Sequence, residues 1–141
     1  MNETIDDTDL RILQILIQDA KRSHKEIGED VHLTGQAVGA RLRKLQDLGV
    51  IEGYTVKWNP ERLGLGLQAF VTVFMNSGDR HVAFRTFIAS HEDIVEVHRI
   101  SGEGCYLMRV RTGTTEQLNQ LLEELLHYGN YKMSLSIRVE K

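Results

Sequence analysis

The sequence predicts an α+β fold in two parts, on three observations: helical periodicity through roughly the first 50 residues, a change to strand-like composition after Gly49, and an order beyond residue 66 that reads βαββαβ. Leu10, Leu13 and Ile17, with Ile12 and Leu16 beside them, have the spacing of a helix that buries one broad face. Asp6 is suited to cap it, so the first helix is expected over 6–19. Ser23-His24-Lys25-Glu26 has the form of a capping box opening a short second helix to Val31. After the turn His32-Leu33-Thr34, Thr34 caps a third helix with Val38, Leu42 and Leu45 at i, i+4 and i+7, and Gly49 supplies its left-handed stop. Three short helices in this span make a tri-helical unit of helix-turn-helix type. The run Val50–Trp58 behind it is β-rich.

Pro60, Gly64 and Gly66 mark the boundary, giving a first domain over 1–60, a linker over 61–66 and a second domain over 67–141. In the second domain the expected elements are strand 67–76, helix 80–90, strands 94–101 and 105–112, helix 115–128 and strand 131–139. That order is ferredoxin-like. Its second helix is set by Leu118, Leu121, Leu122, Leu125 and Leu126 behind a Thr114-x-x-Gln117 capping box. Strand 67–75 puts Leu67, Ala69, Val71, Val73 and Met75 on one face but Phe70 and Phe74 on the other. Two helices cover only one face of a four-stranded sheet, so the second predicts a homodimer, unless the N-terminal domain folds back over it.

With 41% hydrophobic and 26% charged residues the chain has a globular composition, and no run of it is long and apolar enough to span a bilayer. Its acidic N-terminal segment has neither the basic nor the apolar region of a secretory signal, and Cys105 stands alone, both of which predict a cytoplasmic protein. A net charge of −3 excludes a broadly basic surface. Residues 1–63 carry 9 Lys/Arg against 11 Asp/Glu, so any footprint on nucleic acid must be a small patch.

In a helix-turn-helix the second helix of the pair enters the major groove. Stepping 100° per residue from Val38, Gln36, Ala40, Arg43 and Asp47 point away from the core, with Gly39 and Lys44 on the flanks. Gln and Arg make bidentate contacts to adenine and guanine edges, which makes Gln36 and Arg43 the base-reading candidates. Lys44, Thr34, Lys25 and the amides opening the second helix are phosphate candidates, supported by Lys21 and Arg22. Arg41 lies nearer the core edge, placed either for DNA or for bracing an acid of the first two helices. Gly39 costs roughly 1 kcal/mol against Ala within a helix, so it either permits a close approach or is merely tolerated.

Together these pieces resemble the Lrp/AsnC family of bacterial and archaeal regulators. The residues that carry the resemblance are Ile5-Asp-Asp-Thr-Asp9 leading to Ile12-Leu13, Ser23-x-x-Glu26-Ile27-Gly28, and Thr34-x-x-x-Val38-x-x-Arg41-Leu42-x-x-Leu45. Further along are Gly49-Val-Ile-Glu-Gly-Tyr54, Leu63-Gly64 and Gly102-x-x-Cys105-Tyr106. The resemblance implies a winged-helix-like or hinged helix-turn-helix domain that binds double-stranded DNA, joined to a βαββαβ domain that dimerises, with assembly to octamers or higher and an amino acid or related small molecule as effector. It places the effector site at the loop Ser101, Gly102, Glu103, Gly104, Cys105 and Tyr106. Cys105 stands where the family commonly has an acid, so the usual anionic partner is missing there, and Glu103 is the acid at hand to replace it. Gly28 stands where the family generally has Ala, a difference expected to matter little.

A sequence-tolerant architectural protein that wraps DNA without an effector fits the same sequence, as does a small-molecule sensor whose DNA domain is secondary. Specific against random DNA, with and without ligand, separates the three. No cofactor is expected, since no phosphate-cradling glycine loop is present, and no metal, since neither Cys-x-x-Cys nor His-Glu-x-x-His occurs. Catalysis would rest on Cys105 with one of the histidines 24, 32, 81, 91, 98 and 127. With a turn at 102–104, Ser101 pairs with Cys105 and His98 with Met108, which turns His98 to the face opposite Cys105 and leaves no catalytic residues to name.

Overall fold

The computed structural model describes residues 4–141, which form two compact units, one ending at Lys57 and the other spanning Trp58–Lys141. The first contains α1 (Asp7–Gln18), α2 (His24–Val31) and α3 (Gly35–Asp47). Each starts at the cap its sequence predicts. The Asp6 carboxylate accepts from the Asp9 amide at 2.9 Å while the Asp9 carboxylate accepts from the Asp6 amide at 3.0 Å. Ser23 and Glu26 exchange the corresponding pair at 3.1 and 2.8 Å, and Thr34 Oγ1 accepts from the Ala37 amide at 3.1 Å. These bonds satisfy amides that the first turn of a helix leaves without an internal partner. Gly49, at φ 71°, ends α3 as expected.

The core of this unit is Ile12, Leu16, Ile27, Val38 and Leu42, with Ile51 packed against it. α1 is rotated from the expected face: Leu10 and Ile17 are 47% and 74% exposed, whereas Asp9, Ile12 and Leu16 are buried. The cause is Asp9, which two cations of α3 hold inside. Gly28 is tighter than expected, because a Cβ there would lie 2.3 Å from the Leu33 carbonyl oxygen. The β-rich run after Gly49 forms no strand. Its first amides, Val50 and Ile51, donate back to the Leu45 carbonyl at 2.9 and 3.1 Å, and residues 52–59 have no ladder partner among the described residues.

The second unit comprises β1 (Leu67–Met75), α4 (His81–Ser90), β2 (Ile94–Arg99), β3 (Tyr106–Thr112), α5 (Thr115–Leu125) and β4 (Gly129–Leu135), after a 3₁₀ turn at Pro60–Leu63. The strands form one antiparallel sheet in the order β2-β3-β1-β4, the ferredoxin-like arrangement. Ala69, Val71 and Val73 of β1, with Met108 and Val110 of β3, pack on Phe84 of α4 and on Leu118, Leu121, Leu122 and Leu125 of α5. On the other face Phe70 and Leu107 are 42% and 36% exposed.

Several boundaries differ from expectation, β2 among them, which ends at Arg99 and not at 101. α5 stops at Leu125 because the next amides, Leu126, His127 and Tyr128, bond three residues back; that tighter turn leaves Leu126 outside the buried stripe. β4 begins two residues early and ends four early, since its partner β1 starts at Leu67 and gives it nothing to pair with beyond the Ser136 amide on the Gln68 carbonyl. In the β2–β3 hairpin Arg99 faces Tyr106 and His98 faces Leu107, one residue out of the expected register. Strand alternation therefore no longer separates His98 from Cys105. The His98 imidazole instead meets Glu96 Oε1 at 2.5 Å.

Candidate nucleic-acid interface and effector loop

Three features orient α3. Thr34 caps its start, Val38, Leu42 and Leu45 bury one side, and a set of ion pairs ties a second side to the beginning of α1. Asp9 is fully buried and accepts from Arg41 Nη1 at 2.9 Å and from Lys44 Nζ; Arg41 also bonds Asp6 at 2.7 Å. Burial alone would raise the Asp9 pKa, but the hydrogen bonds from Lys44, the Asp6 amide and Arg41 outweigh it and hold the carboxyl below its ordinary value. The Arg41 hydrogen bond takes Asp6 from its ordinary 3.8 to about 2.

The exposed ridge of α3 carries Gln36, Ala40 and Arg43, joined by Gln46 and Asp47. Arg41 and Lys44 are not on it. Both are half-buried and turned to α1, which gives Arg41 the bracing role and engages the ammonium of Lys44. Thr34 and Lys25 are exposed where the first turn of α2 meets the start of α3; a Cβ on Gly35 would sit 3.3 Å from the Lys25 amide nitrogen. Arg22 pairs with Asp30 at 2.7 Å. Gly39 makes room for a side chain: a Cβ there would meet His24 Nδ1 at 3.2 Å. His24, Gln36, Gly39, Arg43 and Tyr54 share a concavity of about 370 Å³. Sequence reasoning missed His24 and Tyr54, since only the packing of α2 and of residue 54 on α3 brings them there.

The six residues of the candidate effector loop do not share one surface. Ser101, Gly102 and Glu103 are exposed, and Gly102 and Gly104 hold φ at 97° and 92°. Gly104 also runs close to β1, where a Cβ would come 2.4 Å from Thr72 Cγ2. Glu103 is paired with Lys132, whose hydrogen bond keeps its carboxyl below the usual range. Cys105 packs partly against the core, its amide donating to the Val73 carbonyl at 2.8 Å. Tyr106 turns fully inward: its ring lies 4.7 Å from that of Phe84 and its hydroxyl is 2.8 Å from His81 Nδ1.

Family models match both units, the AsnC-type helix-turn-helix domain over residues 5–46 and the Lrp/AsnC ligand binding domain over residues 68–141. The HTH-type transcriptional regulator LrpB of Bacillus subtilis is 45% identical over 97% of this chain and 91% of its own length. LrpA of the same organism is 34% identical over 94% and 98%. The solved structure of B. subtilis LrpC covers 98% of both chains with a TM-score of 0.92 at 24% identity, a likeness of fold. A Neisseria meningitidis transcriptional regulator solved as a complex with L-Met superposes with a TM-score of 0.91 at 26% identity, covering 98% of this chain and 93% of its own.

Proposed function

Since the chain belongs to the Lrp/AsnC family of helix-turn-helix transcription regulators, we propose that it binds double-stranded DNA through the exposed ridge of α3. Gln36 and Arg43 reach base edges in the major groove, Gly39 and Ala40 allow the helix to lie close, and Lys25 and the Thr34 hydroxyl hold phosphates. The observation that carries this reading is the division of labour along α3: Gln36, Ala40 and Arg43 face solvent, while Arg41 and Lys44 are bound to Asp9. The protein works in the cytoplasm as a homodimer or a larger assembly of dimers, formed over the sheet face that exposes Phe70 and Leu107. Ser101, Gly102 and Glu103 contact an amino-acid effector, a role supported by the L-Met complex of the N. meningitidis relative.

Fluorescence anisotropy tests this with DNA from immediately upstream of the protein's own gene against a shuffled fragment, at two salt concentrations, with and without pooled amino acids. Tighter, salt-dependent binding to the native fragment is expected, with Arg43→Ala losing about 1–3 kcal/mol on that fragment and little on the shuffled one. Equal losses on both would remove Arg43 from base reading. Failure of the wild type to bind either would remove the DNA interface.

A further inference from the structure

On the core side of the β2–β3 hairpin, His81 and Arg85 of α4, Arg99 of β2 and Tyr106 of β3 enclose a cavity of about 250 Å³. Its chemistry is one-sided. Arg99 Nη1 lies 2.7 Å from His81 Nδ1, and its guanidinium sits 4.9 Å from the centre of the Tyr106 ring. The Tyr106 hydroxyl meets the same His81 nitrogen at 2.8 Å. Among the described residues the Arg85 side chain makes no hydrogen bond or ion pair, and neither arginine has a carboxylate partner. Elsewhere in this unit such side chains stand beside an acid: Arg109 pairs with Glu96, Lys132 with Glu103 and Arg138 with Glu140, and His91 and His98 lie against Glu124 and Glu96. Here two guanidiniums and an imidazole stand together with none.

We propose that the cavity bounded by His81, Arg85, Arg99 and Tyr106 is a binding site for a small oxyanion, a carboxylate or a phosphate group. A guanidinium offers planar, paired N–H donors that match both groups, and two of them on one cavity leave their charge uncompensated until an anion enters. One side of the cavity is held in place: Tyr106 is 4% exposed, its ring is packed on Phe84, and His81 lies between its hydroxyl and Arg99, so Arg99 is positioned before a ligand arrives while the exposed Arg85 is free to close on it. The cavity is smaller than an ordinary drug-sized pocket of roughly 300–1,000 Å³, which suits a compact anion and not an extended one. Of the loop Ser101–Tyr106 only Tyr106 lines this cavity, and the site does not depend on how the protein reads DNA.

Isothermal titration calorimetry on the full chain, in a buffer free of carboxylate and phosphate, tests it with inorganic phosphate in one arm and succinate in the other. Saturable binding of one or both is expected, and which arm binds says whether the site takes phosphoryl or carboxyl groups. Arg85→Gln and Arg99→Gln, both at exposed side chains, should each weaken it at least tenfold with circular dichroism unchanged. Tyr106→Phe keeps the ring and should weaken it severalfold, and Arg138→Gln, outside the cavity, should leave it as it was. Absence of binding in both arms, or equal affinity in the arginine variants, overturns the proposal. So does a loss of DNA affinity in those variants without any small-anion binding, which would assign the two arginines to the nucleic-acid backbone.

Discussion

Asp9 decides how two helices meet. Its carboxylate is fully buried, yet it belongs to the α1 capping box and receives both Arg41 and Lys44 from α3. Removing this acid leaves the half-buried Lys44 without a carboxylate and Arg41 with Asp6 alone, a change that approaches the cost of a broken buried pair, about 3–5 kcal/mol. Asp9→Ala should therefore lower the melting temperature of the protein markedly, as differential scanning calorimetry would register, and lower DNA affinity by loosening α3. Lys44→Ala is expected to shift stability more than the salt dependence of DNA binding. A salt slope reduced by about one, with an unchanged melting temperature, would instead place Lys44 on a phosphate. The same acids set an acid limit. Asp6 titrates at about 2 in the folded chain and near its ordinary 3.8 when unfolded, so its stabilisation is complete above about pH 4 and is lost as the pH falls toward 2. Asp9 is displaced in the same direction. Thermal melts between pH 6 and 2 should show this decline, and Asp6→Asn should flatten it.

At the scale of elements, the features written in a few consecutive residues were legible, and those that depend on a distant partner were not. The capping boxes Ser23–Glu26 and Thr114–Gln117 form where the sequence places them, and Asp6 caps α1 as expected, there with Asp9 completing a box, because each needs only its own first turn. Thr114→Ala should accordingly cost about 1 kcal/mol of stability, measured by urea unfolding. The face of α1 was misjudged because an aspartate inside a core is intelligible only once Arg41 and Lys44 are opposite it. The run after Gly49 has strand-forming residues but no ladder partner among the described residues, and composition cannot reveal that. The ridge of α3 was recoverable from helical geometry alone, whereas His24 joins Gly39 only through the packing of α2 on α3. The hairpin register turned on a loop one residue longer than assumed. Gly104 shows why that loop tolerates little: φ of 92° is strained for any residue with a Cβ, and Thr72 Cγ2 stands in the way. Gly104→Ala should cost about 1–3 kcal/mol from the backbone alone. Adding Thr72→Ser, which removes Cγ2, should recover only the steric part, a difference that a double-mutant cycle reads directly.

For the molecule as a whole, the sheet leaves a problem that the helices of its own unit do not solve. α4 and α5 cover one face, and the other carries Phe70 and Leu107 exposed beside Phe74, which lies near Lys132. Around these apolar groups Arg109 pairs with Glu96 at 3.1 Å and Arg111 stacks on Trp58 at 5.2 Å, so the face is apolar at its middle and charged at its margin. That is the composition of a protein interface, whose core is dry and whose rim is polar. A two-fold axis through it would set each copy's Phe70 and Leu107 against the same residues of the other, which is how one patch complements itself. Placing a charge there buries it without a partner in the dimer but leaves it solvated in the monomer, so the equilibrium, more than the fold, takes the penalty. Phe70→Glu and Leu107→Glu are therefore expected to shift the protein toward monomers in sedimentation velocity while far-ultraviolet circular dichroism stays unchanged. Their DNA affinity should fall with the dimer, because two half-sites are then no longer held together. A Phe70→Glu protein that sediments as the wild type does would locate assembly on another surface.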